Sequence, residues 1–255
     1  MLGVPVDAVG IEEALAYAST RIATPGTPDC IIAINPEKVF ATRSNTAIRE
    51  LVESAGMLLP DGIGIVMALR LLHGIRIRRI AGADYMQALC ARAAERGWRI
   101  YLYGASETVN DAAATELLRR HPSLLIAGRS HGFVPDNKMD GLVTQINESK
   151  ADILFVALGS PRQEEWLRRF IPRLTVRLCQ GIGGTLDTLA GTVKRAPVMI
   201  QQLNLEWLYR LLRQPSRAGR QKVLIYFVME VIREWRHPRP LPVHVASPPM
   251  EGHKP

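Results

Sequence analysis

The stretch "ADILFVALGSPRQE", Ala151 to Glu164, decides the fold. Its apolar, β-branched run has no polar alternation, so it reads as a strand covered on both faces. The run breaks at Gly159, Ser160 and Pro161. Gln163 and Glu164 then stand where the first turn of a helix welcomes acidic groups. A buried strand, a tight turn and a helix form half of a crossover unit, the connection that parallel strands require.

The same sequence of elements recurs along the chain. Further candidate strands are "CIIAIN" (30–35), "MLLP" (57–60), "WRIYLYG" (98–104), "LLIAG" (124–128) and "LTVRLCQG" (174–181). Helical patterns fill the gaps. In "SETVNDAAATELLRRH", Ser106 is a plausible N-cap and Arg119 and Arg120 suit the last turn. "GADYMQALCARAAERG" stops at Gly97, a glycine placed to end a helix. The expectation is an α/β fold: a Rossmann-like, largely parallel sheet flanked by helices.

Four strands end alike, in "INPEK", "YGASE", "LGSPRQE" and "QGIGGTLD". Ligands of open parallel sheets sit beyond the carboxyl ends of the strands, where helix N-termini offer N–H groups to anions. The four turns, with Asn35, Gly104, Gly159, Gly181, Gly183 and Gly184, are therefore expected to line one site, although glycine and asparagine also serve ordinary tight turns. Standard nucleotide fingerprints are absent. After Gly62 and Gly64 the third glycine position is Met67, and after Gly181 and Gly183 it is Leu186, so neither completes G-x-G-x-x-G; no Walker-type loop occurs. With no H-E-x-x-H, no G-x-S-x-G and no Cys/His pair, Asp61 in "LLPDGIGIV" is the best candidate general base. "PDG" is also a common turn, but this one closes a strand on the edge where the four turns gather.

The 255 residues carry a net charge of +8, and the excess is concentrated at the end. From Lys194 onward there are 11 Lys and Arg against 4 Glu, so the body before it is nearly neutral. A polyanion, an acidic membrane surface or a diphosphate is expected at this tail. "PVMIQQLNLEWLYRLLRQP" spaces Leu203, Trp207, Leu208, Leu211 and Leu212 as an amphipathic helix. "QKVLIYFVMEVIREWRHPRP" is too short to span a bilayer and suits an anionic interface. The expected organisation is a catalytic body (1–196), a basic helical appendage (197–239) and a disordered end (240–255). Cys30, Cys90 and Cys179 read as buried reduced thiols, which suits a cytoplasmic setting.

The blocks "INPEKV", "LLPDGIGIV", "RRIAGADYM", "YLYGAS", "HGF", "ADILFVALGSPRQEEW", "GIGGTLDTLAGTVKRAP" and "LEWLYRLLRQPSRAGR" together resemble the WecG/TagA/CpsF family of bacterial glycosyltransferases. The resemblance implies an inverting, metal-independent enzyme without a cofactor. It would move a sugar from a UDP-sugar to a polyprenyl-diphosphate-linked saccharide, as a peripheral protein at the cytoplasmic face of the inner membrane. It implies Asp61 as base, with Arg79 and Gln163 beside the reacting groups. Asn35, Gly104, Phe133, Gly159, Gly181, Gly183, Gly184 and Asp187 would line the UDP-sugar site, and Arg210, Arg217 and Arg220 of the appendage would reach the donor diphosphate. Ala33 replaces a threonine usual in the family, and Phe133 a frequent tyrosine.

The preferred donor is glucose, extending a lipid-linked glucose as in xanthan-like polymers; the alternative is N-acetylmannosamine or its uronic acid. Pairing of the apolar tail with a second copy is open. A module that only grips nucleotides or nucleic acid is a second reading. With 6% aromatic residues, it lacks the stacking platforms of single-strand binders, and nucleic acid is not expected as a partner.

Overall fold

The computed structural model describes residues 1–197, 199–200, 208–209 and 218–237, with side chains from 222 onward in the last segment. Six strands form one sheet: β1 (Asp29–Ile34), β2 (Met57–Pro60), β3 (Arg99–Gly104), β4 (Leu125–Ser130), β5 (Ile153–Ala157) and β6 (Leu178–Gly181). Their order is β2-β1-β6-β5-β3-β4, and every pairing is parallel. The α/β expectation holds, and all six expected strands are present. The last of them is shorter at its start than the sequence suggests. Leu174 and Val176 are buried in the core ahead of the ladder, and Leu174 N–H closes a turn onto the Ile171 carbonyl instead of joining the sheet.

Helices cover both faces. On one face lie α2 (Pro36–Ser44), α3 (Thr46–Ser54), α4 (Ile63–His73), α7 (Met139–Glu148) and α8 (Arg162–Phe170). On the other lie α1 (Ile11–Ala23), α5 (Gly82–Arg96), α6 (Glu107–Arg120) and the single-turn α9 (Thr185–Leu189). The central strand β5 is fully buried along its length, as an unbroken apolar run requires. Alternate residues supply the two cores: Leu154 and Val156 face α7 and α8, Ile153 and Phe155 face the opposite layer. Ser106 caps α6 through its hydroxyl, and Gly97 ends α5 in the left-handed conformation at φ 70°.

A last helix, α10 (Ala218–Arg236), packs against α2 and α4. Phe227 and Val231 are its buried stripe, and Arg43 of α2 reaches Glu230 at 3.4 Å. The rest of its apolar surface points outward. Ile225, Tyr226, Val228, Met229, Ile232 and Trp235 are all exposed. Among the described residues no helix is long and apolar enough to cross a membrane.

All three cysteines are free and buried. Burial pushes the Cys90 thiol up to about 12 and holds Cys30 and Cys179 well above the ordinary thiol range. Thiolate is the reactive form. Native protein at mildly alkaline pH is therefore expected to leave a disulfide-exchange reagent almost unconsumed, and denatured protein to consume three equivalents; rapid titration of even one native thiol would contradict this packing.

Candidate active site

Because every strand runs the same way, all the carboxyl ends meet on one edge, and β1, β6, β5 and β3 are consecutive in the sheet. The four turns grouped from sequence therefore stand side by side. Asp61 joins them from β2, next to β1, with its backbone N–H donating to the Ile34 carbonyl at 2.9 Å. Gly62 follows at φ 91° and opens α4. Helices leave β1 and β5 on one face and β6 and β3 on the other, so the edge between them is a crevice of the kind that binds ligands in open sheets.

Asn35 caps α2: its side-chain oxygen accepts from Lys38 N–H at 2.8 Å. Arg79 is brought beside Asp61 by an extended segment in which Ile80 N–H donates to the Pro60 carbonyl at 2.9 Å. Arg76 and Arg78 are exposed and Arg79 is half-buried. Together they line a cleft of about 530 Å³ with Val9, Glu13 and Asp84. Arg76 and Arg78 are solvated; Arg79 alone of the three is half-buried.

Gln163 is buried at the start of α8. Its Nε2 donates to Glu164 Oε1 at 2.9 Å, and its Oε1 accepts from Gly183 N–H at 2.9 Å. A Cβ at Gly181 would come within 2.9 Å of that Nε2, so a glycine is needed there for Gln163 to lie across the β6 turn. Gly184 precedes α9, and half-buried Asp187 sits in its first turn. The Asp187 carbonyl ties down the following loop by accepting from Thr192 Oγ1 at 2.9 Å and Val193 N–H at 3.1 Å.

Around β3 the constraint is close backbone approach. Gly104 has φ 131°, and a Cβ there would lie 2.3 Å from the Ala157 carbonyl oxygen. Gly132 N–H donates to Ala105 O at 2.8 Å, which lays the "HGF" loop against this turn and leaves the Phe133 ring 70% exposed at its rim. Gly159 bonds through its carbonyl to Gln163 N–H at 2.9 Å. His131 accepts from Phe133 N–H through Nδ1 at 3.1 Å, in keeping with a loop histidine.

Three contributors to this edge escape a reading by motif. Asn110 of α6 is fully buried, and its amide donates to the carbonyls of Gly104 (2.9 Å) and Ser130 (3.1 Å), joining the ends of β3 and β4. Gln180 holds the start of α5 through the Gly82 carbonyl at 2.9 Å, directly under Ala33, whose Cβ lies 3.0 Å from where a Gly82 Cβ would be. Lys38 forms a buried ion pair with Glu164. A lysine in the first turn of a helix works against the dipole, which is the one sequence signal that it has a carboxylate partner. Arg210 and Arg217 lie outside the described residues, as does the side chain of Arg220.

Residues 1–240 match the model of the glycosyl transferase WecG/TagA/CpsF family. The chain belongs to that family. A WecG/TagA/CpsF relative in Bacillus subtilis (strain 168), N-acetylglucosaminyldiphosphoundecaprenol N-acetyl-beta-D-mannosaminyltransferase, is 36% identical over 204 residues, which covers 80% of this chain and 79% of the relative.

Substituting Gly104→Ala forces a side chain into β5 and is expected to cost about 2 to 3 kcal/mol of stability. A urea denaturation midpoint equal to that of the unmodified protein would refute the close approach.

Proposed function

We propose that the protein transfers an N-acetyl-β-D-mannosaminyl group from a UDP-linked donor to a polyprenyl-diphosphate-linked N-acetylglucosamine. The observation that carries this reading is Asp61, set at the end of β2 between the Asn35 turn and Arg79, in a chain similar over most of its length to an enzyme of that printed activity. The relative's donor sugar supports N-acetylmannosamine over the glucose that overall likeness first suggested.

In this reading the acceptor hydroxyl attacks the anomeric carbon from the face opposite the diphosphate. The new C–O bond forms as the bond to the UDP oxygen breaks, Asp61 takes the hydroxyl proton, and UDP leaves with the electron pair. Charge grows on the departing diphosphate. Arg79 and the arginines of the appendage oppose it, since fixed cations placed where charge develops stabilise the transition state. The nucleotide lies along the glycine turns of β6, β5 and β3, with its base toward Phe133. The acceptor diphosphate approaches through the cleft lined by Arg76, Arg78 and Arg79.

The lipid acceptor places the enzyme at a membrane, and α10 offers the surface for it. Its exposed apolar face is bordered by Lys222, Arg233 and Arg236, also exposed. Each cation near an anionic leaflet contributes about 1 kcal/mol. Ile225→Glu combined with Met229→Glu is expected to leave the fold intact and abolish co-sedimentation with anionic vesicles. Unchanged co-sedimentation would remove α10 from the membrane contact, and dissociation of a dimer instead would assign the face to a second copy.

Asp61→Asn keeps shape and removes the base. It is expected to lower turnover roughly 100-fold to 10,000-fold while UDP affinity, read by calorimetry, changes only a few fold. Near-normal turnover in this variant would exclude Asp61 as the base.

A further inference from the structure

We propose that Lys38 and Glu164 are positioning residues of the donor site: the buried pair fixes the orientation of the Gln163 amide and, through it, the turn from Gly181 to Gly184. The inference rests on the transferase reading above and assigns a role to two residues outside its reacting groups.

The geometry is specific. Lys38 is 7% exposed and Glu164 2% exposed, and they bridge the helix after β1 to the helix after β5 across 126 positions of sequence. Glu164 Oε1 accepts from both Lys38 Nζ and Gln163 Nε2, while Glu164 Oε2 is buried with no hydrogen-bond partner among the described residues. Charges held this way are weak contributors to stability, because well-packed apolar residues of similar volume do as well or better. A buried carboxylate with one oxygen unsatisfied therefore calls for another explanation.

Gln163 supplies it. A carboxylate can only accept hydrogen bonds, so it receives the amide nitrogen of Gln163 and repels the amide oxygen. That leaves Oε1 facing Gly183, where it accepts the backbone N–H. Turned over, the amide would set oxygen against carboxylate and N–H against N–H. Glu164 thus selects one of two amide orientations, and that orientation holds Gly183 at φ 54°. Lys38 sets a cationic donor against Glu164 in the interior, and its own backbone N–H is held by Asn35. The ends of β1, β5 and β6 are joined by this single chain of contacts.

Two double variants separate positioning from scaffolding. Lys38→Met with Glu164→Gln and Lys38→Met with Glu164→Leu both remove the charges, but only the glutamine still accepts from Gln163 Nε2. Calorimetric titration with UDP, and kcat and KM for the donor, are the readouts. The expected result is a loss of at least about tenfold in affinity for the leucine variant with a similar melting temperature, and a smaller loss for the glutamine variant, which offers Gln163 Nε2 an acceptor but no longer excludes the turned-over amide. Equal affinities in the two variants, or losses that merely follow melting temperature, would overturn the inference. Should neither variant fold, Glu164→Asp keeps the charge and draws the carboxylate back from Gln163; unmodified UDP affinity there overturns it equally. Absence of UDP binding by the unmodified protein would instead remove the transferase reading itself.

Discussion

A buried ion pair between Lys38 and Glu164 ties together the parts of the sheet edge on which the site depends. A parallel sheet gathers its strand ends on one side, but the ladder only sets the spacing of the backbones. The loops beyond it need their own constraint. Here the constraint runs from Asn35, which caps α2, through Lys38 and Glu164 to Gln163 and the Gly183 amide. Removing one partner would strand a charge in the interior, a change that typically costs about 3 to 5 kcal/mol. The network is therefore held together by the penalty for breaking it more than by any large stabilisation in forming it.

The site is built mostly from backbone. Gly104 and Gly132 allow the β3 turn and the "HGF" loop to approach the neighbouring chain more closely than any side chain permits, and Asn110 satisfies the carbonyls that this approach leaves facing inward. Gln163 does the same service for the β6 turn. The result is an edge in which Asp61 and Arg79 lie to one side of the glycine turns, while Lys38 and Glu164 neutralise each other beneath them.

Much of this was legible in the sequence because strand burial and turn chemistry are local. The apolar run from Ala151 to Gly159 read as a strand, and Ser106 by its hydroxyl and Gly97 by its freedom to adopt the left-handed conformation marked helix ends. Strand limits were less legible where apolar residues serve the core without joining the ladder, as with Leu174 and Val176. Asp61 could be placed at the edge only because β2 was recognised. The pairing of Lys38 with Glu164 lay beyond such reasoning, since nothing periodic connects residues so far apart. Glu164 was legible as an acidic residue in the first turn of a helix, and that is where it lies; its burial against a lysine is a tertiary fact.

UDP release from a panel of UDP-sugars, in the presence and absence of a short polyprenyl-diphosphate-linked N-acetylglucosamine, tests the account most directly. It predicts release from UDP-N-acetylmannosamine that requires the acceptor, with little from UDP-glucose. Acceptor-dependent release from UDP-glucose alone would contradict the assigned donor, and no acceptor-dependent release from any donor would contradict the assignment of this edge as a glycosyl-transfer site.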